Sequence, residues 1–292
     1  MKYRVVHTTR YDYSEPVPIC YNVARLTPRA CAYQGVLSTR IDVEPVKPVH
    51  GRMRRDYFGN ELTYFTIQDP HRWLTITVDS EVVLSPPSHP GSAETAAWEE
   101  VPEVLRSGYD EDTLSAYQFV FDSRFVKATS ELADYAKVSF PKGRPALDAV
   151  LDLTERIHRD FKYDPTATTI ATPLEEVMQQ RRGVCQDFAH LEIGCLRAMG
   201  LAARYVSGYI FGGERVEGAP LTGAWASHAW VSVYVPGHGW VDTDPTNNTL
   251  AGLDHITLAW GRDYEDVSPI RGVVLGGGQH SLSVSVDITR QT

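Results

Sequence analysis

Residues 181–190 read RRGVCQDFAH, and residues 228–246 read HAWVSVYVPGHGWVDTDPT. The first stretch opens CQDFAHLEIGCLRAMG, whose apolar residues cover most of a helical circumference and whose Gly200 supplies a stop. This predicts a centrally buried helix with Cys185 in its first turn. The second stretch alternates with period two, as do LAARYVSGYI before it and SLSVSVDITR near the end, so strands are expected to pack against that helix. Helices followed by antiparallel strands give an α+β class.

Upstream, ALDAVLDLTERIHRDF places Leu147, Val150, Leu151, Thr154, Ile157, His158 and Phe161 on one helical stripe. ATPLEEVMQQRRG then reads as a short helix capped by Thr172, with Pro173 at its first position, Glu175 completing a capping box and Gly183 ending it.

A thiol at a helix N-terminus meets unpaired N–H groups and a positive dipole end, both of which favour thiolate. The same N–H groups, that of Cys185 above all, can receive the oxyanion of a tetrahedral intermediate. Cys195, mid-helix beside Ile193 and Leu196, is expected to be inert packing.

On the strand opened by Ser227, His228 shares a face with Trp230, Ser232 and Tyr234. A hairpin register pairing Tyr234 with Trp240 and Trp230 with Asp244 makes Asp244 the diagonal neighbour of His228. Such an aspartate would fix the imidazole so that its other nitrogen meets the thiol. Asp242 shares the face one pair further away and is the second choice.

RRGVCQDFAH, SHAW and GWVDTDPT occur in the order that marks the transglutaminase-like superfamily of papain-like thiol enzymes, which this chain resembles. RDYFGNE, near the start, resembles the N-terminal region found before that core in bacterial members named as cysteine proteases. The resemblance implies a papain/transglutaminase-like core, helices on an antiparallel sheet, preceded by an N-terminal all-β domain. Carried onto this sequence, it implies a triad of Cys185, His228 and Asp244 and a thioester intermediate resolved by water or an amine. It also implies an upstream second oxyanion donor, for which Tyr163, Gln179 and Gln180 are candidates. Asp187 and His190 are expected to brace the loop and helix start, while Trp225 and Trp230 either wall the acyl site or pack in the core. The expected activity is cleavage of a peptide or isopeptide bond, with protein-glutamine transglutaminase activity or a non-catalytic scaffold as the alternatives.

The rest of the chain sets the frame. Residues 1–85 alternate in several runs and read as an antiparallel β domain, with Gly59-Asn60 at a hairpin turn that needs positive φ. PPSHPGSAETAAWEEVPE supports neither regular period, so 86–126 is expected to be a linker and 127–292 the catalytic core. The 292 residues carry a net charge of −9, which argues against nucleic acid as a partner; RMRR at 52–55 reads as a solvated turn. Four cysteines without CxxC spacing argue against disulfides and structural zinc. A metal site from Cys185, His190 and His228 fails because His190 would point away from the sulfur, and no DxDxDG loop offers calcium, so activity without metal or other cofactor is expected. With neither a signal peptide nor a long apolar run, a cytoplasmic location without membrane contact is expected, with a peptide or protein as the substrate partner.

Overall fold

The computed structural model describes residues 1–47, 50–212 and 227–291. Six strands come first: β1 (Lys2–Val17), β2 (Ile19–Ala24), β3 (Gln34–Glu44), β4 (His50–Arg55), β5 (Glu61–Ile67) and β6 (His71–Leu84). Next are α1 (Val101–Ser107), α2 (Glu111–Tyr117), α3 (Ser130–Lys137), α4 (Ala146–Asp160), β7 (Lys162–Tyr163), α5 (Leu174–Gln180), β8 (Arg182–Gly183) and α6 (Cys185–Ala198). The remainder is β9 (Ala203–Ile210), β10 (Ser227–Val235), β11 (Gly239–Asp244), β12 (Thr249–Leu250), β13 (His255–Gly261), α7 (Tyr264–Val267), β14 (Ile270–Leu275) and β15 (His280–Gln291).

Two four-stranded antiparallel sheets, in orders β15–β1–β6–β3 and β14–β2–β5–β4, face each other across an apolar layer that includes Phe65, Ile67, Leu74 and Ile76. The β4–β5 turn has Gly59 at φ +77°, as its sequence requires, and Asp56 Oδ1 accepts the N–H groups of Phe58 and Asn60. RMRR is not a turn: it lies in β4, paired with β5, with its arginines exposed.

A five-stranded antiparallel sheet, β12–β11–β10–β9–β13, carries the second half of the fold. Helix α6 lies against β9 and β10 and is buried from Asp187 to Arg197, which is why its sequence is apolar nearly all round. Gly200 follows at φ +81°.

Three further sequence expectations need correction. Residues 86–126 are not a linker: α1 and α2 bury Val101, Leu105 and Ala116, and Phe119 and Val126 join the same core, because apolar residues recur within the polar stretch at helical intervals. SLSVSVDITR does not join the sheet on α6; as β15 it pairs with β1 along Lys2–Tyr13, while β14 pairs with β2. The 127–292 boundary therefore cuts across the packing. Finally, α5 has no Thr172 cap, since that hydroxyl accepts the Thr169 N–H instead, and the helix ends at Arg181 with φ +54° rather than at Gly183. The Arg181 guanidinium covers the Phe161 ring at 4.7 Å, a contact that helps offset its left-handed backbone.

The N-terminal sheets grip the outer edge of β13 with two side-chain amides. Gln34 exchanges hydrogen bonds with Thr257 N–H and C=O (2.8 and 2.7 Å), and Asn60 does the same with Trp260 (3.0 and 2.8 Å). Each amide supplies the donor and acceptor that a further strand would have provided. Among the described residues, no helix is long and apolar enough to cross a membrane.

Candidate active site

Cys185 is the first residue of α6 and is half-buried, after an extended Val184 at φ −112°. The Val184 N–H donates to Asp187 Oδ2 (2.8 Å), and the Thr168 hydroxyl donates to the same oxygen (2.6 Å). This return bond from the third helical residue fixes the direction in which the chain enters the helix. Burial raises the Asp187 pKa, opposed by these two bonds. The helix start leaves its first N–H groups without intrahelical acceptors, beside the sulfur.

The β10–β11 register pairs Tyr234 with Trp240 and continues to Val231 opposite Thr243. Asp244 follows Thr243 directly and pairs with Thr249 of β12 on its other side, and the register that ends at Val231 and Thr243 leaves it close to His228. Their side chains meet at 2.8 Å, His228 Nε2 to Asp244 Oδ2, and neither is exposed. Asp242 is directed elsewhere, accepting from Tyr33 Oη (2.8 Å) and Trp230 Nε1 (3.1 Å).

Asp244 is held from several sides. Its Oδ1 accepts the N–H of Thr246 (2.9 Å) and of Asn247 (3.2 Å), while its Oδ2 also accepts Asn247 Nδ2 (2.7 Å) and His255 Nε2 (3.2 Å). The Gly252 N–H donates to His255 Nδ1, so the proton of that ring sits on Nε2 and points at the carboxylate. Burial would raise the Asp244 pKa, but charge and hydrogen bonding from His228 and His255 outweigh it and hold the group ionised far below the usual range. For His228, burial pulls the pKa down, yet the Asp244 charge and hydrogen bond, with a further contribution from Cys185, lift it well above the ordinary value. His228 Nδ1 is buried and makes no hydrogen bond of normal geometry among the described residues. It is the ring nitrogen left for the neighbouring thiol, and such contacts are often long in ligand-free sites.

The other sequence candidates separate clearly. Tyr163 is half-buried in the short β7, opposite Gly183 of β8. Burial and then the charge of Cys185 raise its phenol pKa. Gln179 and Gln180 are exposed on α5, and Gln180 is engaged by Glu176 and Arg182, so neither is brought to Cys185. His190 is buried: its Nε2 accepts the Tyr264 N–H, its ring stacks on Phe125 at 5.8 Å, and burial pushes its pKa down to about 4. Trp230 is fully buried with its ring 6.1 Å from that of His228, a packing partner rather than an exposed wall. Trp225 lies outside the described residues.

Sequence reasoning missed His255, Asn247 and Glu192. The alternation in HITLAWG announces the strand carrying His255, and Asn247 follows Asp-Pro-Thr directly, but neither stretch shows what its polar residue faces. Glu192 stands out as a carboxyl on an otherwise apolar helix. Its Oε1 accepts the hydroxyls of Thr154 (2.8 Å) and Thr243 (2.9 Å), and burial pushes its pKa up to about 8.

Donor atoms of His228, Asp244 and His255 lie within 4.8 Å of one another, close enough to share a metal ion. Contacts of 2.8 and 3.2 Å to one carboxylate oxygen are hydrogen-bond distances.

Comparison with known proteins agrees with this architecture. The pattern described as the bacterial transglutaminase-like N-terminal region matches residues 3–83, and that of the transglutaminase-like superfamily matches residues 135–245. An uncharacterised protein of Mycobacterium tuberculosis is 40% identical over 292 residues, covering 98% of this chain and 92% of its own. A protein-glutamine gamma-glutamyltransferase of Pseudomonas aeruginosa is 33% identical over 94 residues, which are 30% of this chain and 14% of that one. A crystal structure of a provisionally named cysteine protease from Cytophaga hutchinsonii shares the fold, with a TM-score of 0.76, 22% identity, and coverage of 99% of this chain and 90% of that one. Two motifs matched in order along the chain, and relatives aligned from end to end, make this protein a member of the transglutaminase-like superfamily, with the bacterial N-terminal region ahead of its core.

Proposed function

We propose that the protein is a thiol enzyme that opens an amide bond of a peptide or protein through Cys185, His228 and Asp244. The observation that carries this is the buried 2.8 Å His228–Asp244 pair, which leaves the other ring nitrogen without a hydrogen-bond partner among the described residues, while the thiol of Cys185 at the start of α6 adds to the rise in the ring's pKa. His228 Nδ1 takes the thiol proton and the thiolate attacks the amide carbonyl carbon. The oxyanion is received by the Cys185 N–H and, in this reading, by the Tyr163 hydroxyl. His228 returns the proton to the leaving amine as the C–N bond breaks, leaving a thioester. Water, deprotonated by His228, then releases the acid and restores the thiol.

Transfer to an amine in place of water is the second reading, favoured by the glutamyltransferase segment of Pseudomonas aeruginosa. The first test is alkylation of the native chain by iodoacetamide across pH, with each cysteine quantified by mass spectrometry. Cys185 is expected to react fast well below pH 8 and to lose that advantage in His228→Ala; reaction no faster than at Cys20 or Cys31 would overturn the proposal. Release of free acid, against incorporation of an added primary amine, separates the two readings.

A further inference from the structure

The face of the five-stranded sheet turned away from α6 holds a second polar constellation that the triad does not use. Arg204 projects from β9, four strand positions from the Gly208 that pairs with His228, roughly 13 Å along the strand. It is 8% exposed, and its guanidinium carbon lies 3.9 Å from the Trp240 ring and 3.9 Å from the Trp260 ring. Two indoles thus fix the plane of the cation but satisfy none of its N–H donors.

Among the described residues, Arg204 has no ion pair or hydrogen bond, and its Nε is buried without a partner. Asp242, whose charge acts on Arg204, forms no ion pair with it and already accepts from Tyr33 and Trp230. A second cation, Arg29, covers Trp260 at 3.5 Å and donates to Asn60 rather than to a carboxylate. Arg29 lies near Asp56 and Glu61, so of the two cations Arg204 is the one left without an acceptor among the described residues, and its buried, unpaired Nε–H is costly to maintain.

Arg204 lines a cavity of about 630 Å³ whose walls include Tyr33, Pro87, Trp240, Asp242 and Trp260. His89, on the same wall, also has a buried ring nitrogen without a partner. Flat apolar walls with a few convergent unsatisfied donors are the features of a small-molecule site. We propose that this cavity binds an organic carboxylate, whose anionic end pairs with Arg204 and whose flat or apolar body lies between Tyr33, Trp240 and Trp260. The carboxylate matches the guanidinium fork in two parallel N–H···O bonds. The acid is a free small molecule or the exposed carboxylate of a peptide; both offer the same group.

The proposal is independent of chemistry at Cys185, and the full-length Cys185→Ala chain is the protein to test. Titration with 3-phenylpropionate, followed by tryptophan fluorescence and by ligand-detected magnetisation transfer, is expected to saturate. The uncharged 3-phenylpropionamide should bind at least ~10-fold more weakly, because it cannot make the charge-assisted pair. Arg204→Gln should remove the preference for the acid. Ala32→Trp, at an exposed position on the cavity wall, should block both ligands without disturbing the core, and stands as the control should Arg204→Gln fail to fold. Equal binding of acid and amide, no saturation below ~10 mM, or acid binding that survives Ala32→Trp would each overturn the proposal. Saturation by N-acetylated peptides with a free C-terminus, and not by their amidated forms, would identify the peptide source.

Discussion

Asp244 earns its position through the number of donors it receives, and that number separates its role from that of Asp242, two residues earlier. With Oδ2 shared by His228, His255 and Asn247, the carboxylate cannot rotate away from the imidazole. Asp244→Asn replaces an oxygen with an NH₂ group that would face these donors, so the His228 ring loses both its charge partner and its fixed tautomer. Turnover of any amide substrate should fall by roughly 10³–10⁴-fold, the scale on which such an aspartate acts, and Cys185 alkylation near pH 6.5 should slow by at least ~10-fold. Unchanged alkylation would mean that Asp244 does not act through His228. Glu192 makes a separate prediction about stability. Its folded-state pKa is raised, to about 8, so the stability tied to its neutral form is fully present below its unfolded value. That stability is lost as pH rises through the folded value, at up to about 1.4 kcal/mol per pH unit. Glu192→Gln keeps an acceptor for Thr154 and Thr243 but carries no titrating group. Its melting temperature should therefore gain on that of the unmodified protein between pH 5 and pH 8; parallel curves over that range would overturn the assignment.

The start of α6 shows why the chain has glycine two residues before the thiol. A Cβ on Gly183 would lie 2.5 Å from Asp187 Oδ2 and 2.9 Å from its Cβ, so any side chain there displaces the carboxylate that receives Val184 and Thr168. Gly183→Ala should lose about 1 kcal/mol through the broken helix start, lower the melting temperature by roughly 2–4 °C, and slow alkylation of Cys185 while leaving that of Cys31 unchanged. Equal stability and equal thiol reactivity would remove Asp187 from any bracing role. This element was legible in the sequence, because an apolar helix entered through glycine needs only local pattern, and so was the β10–β11 register, because alternation and a tight turn define it. The Thr172 cap of α5 was misread for the opposite reason: a threonine has several nearby N–H groups to choose from, and it took that of Thr169.

At the scale of the whole molecule, the sequence pattern identified strands without saying which sheet each would join. β15 alternates like a core strand, yet it pairs with β1 over nearly its full length, since long-range strand choice depends on edges that local periodicity cannot see. His255 escaped notice for the same reason: its contact with Asp244 requires β13 to sit at the sheet edge that Gln34 and Asn60 hold. The consequence is mechanical. Tyr3, Val5, Val82, Leu84 and Val286 belong to the same continuous apolar core as α4, α6 and β10, and β14 and β15 return the chain to the N-terminal sheets. Separable domains meet at modest, polar interfaces and unfold apart, whereas a shared core with crossed strands couples the two halves. Urea unfolding should therefore follow one transition, with far-ultraviolet circular dichroism, tryptophan fluorescence and Cys185 reactivity changing at the same midpoint. Asn60→Ala should move all three midpoints down together, because it strips β13 of two edge hydrogen bonds and leaves the Trp260 N–H and C=O unpaired. Two transitions, with Cys185 reactivity surviving the loss of the N-terminal sheets, would show that the half carrying Cys185 stands alone and that the grip on β13 is dispensable to the site.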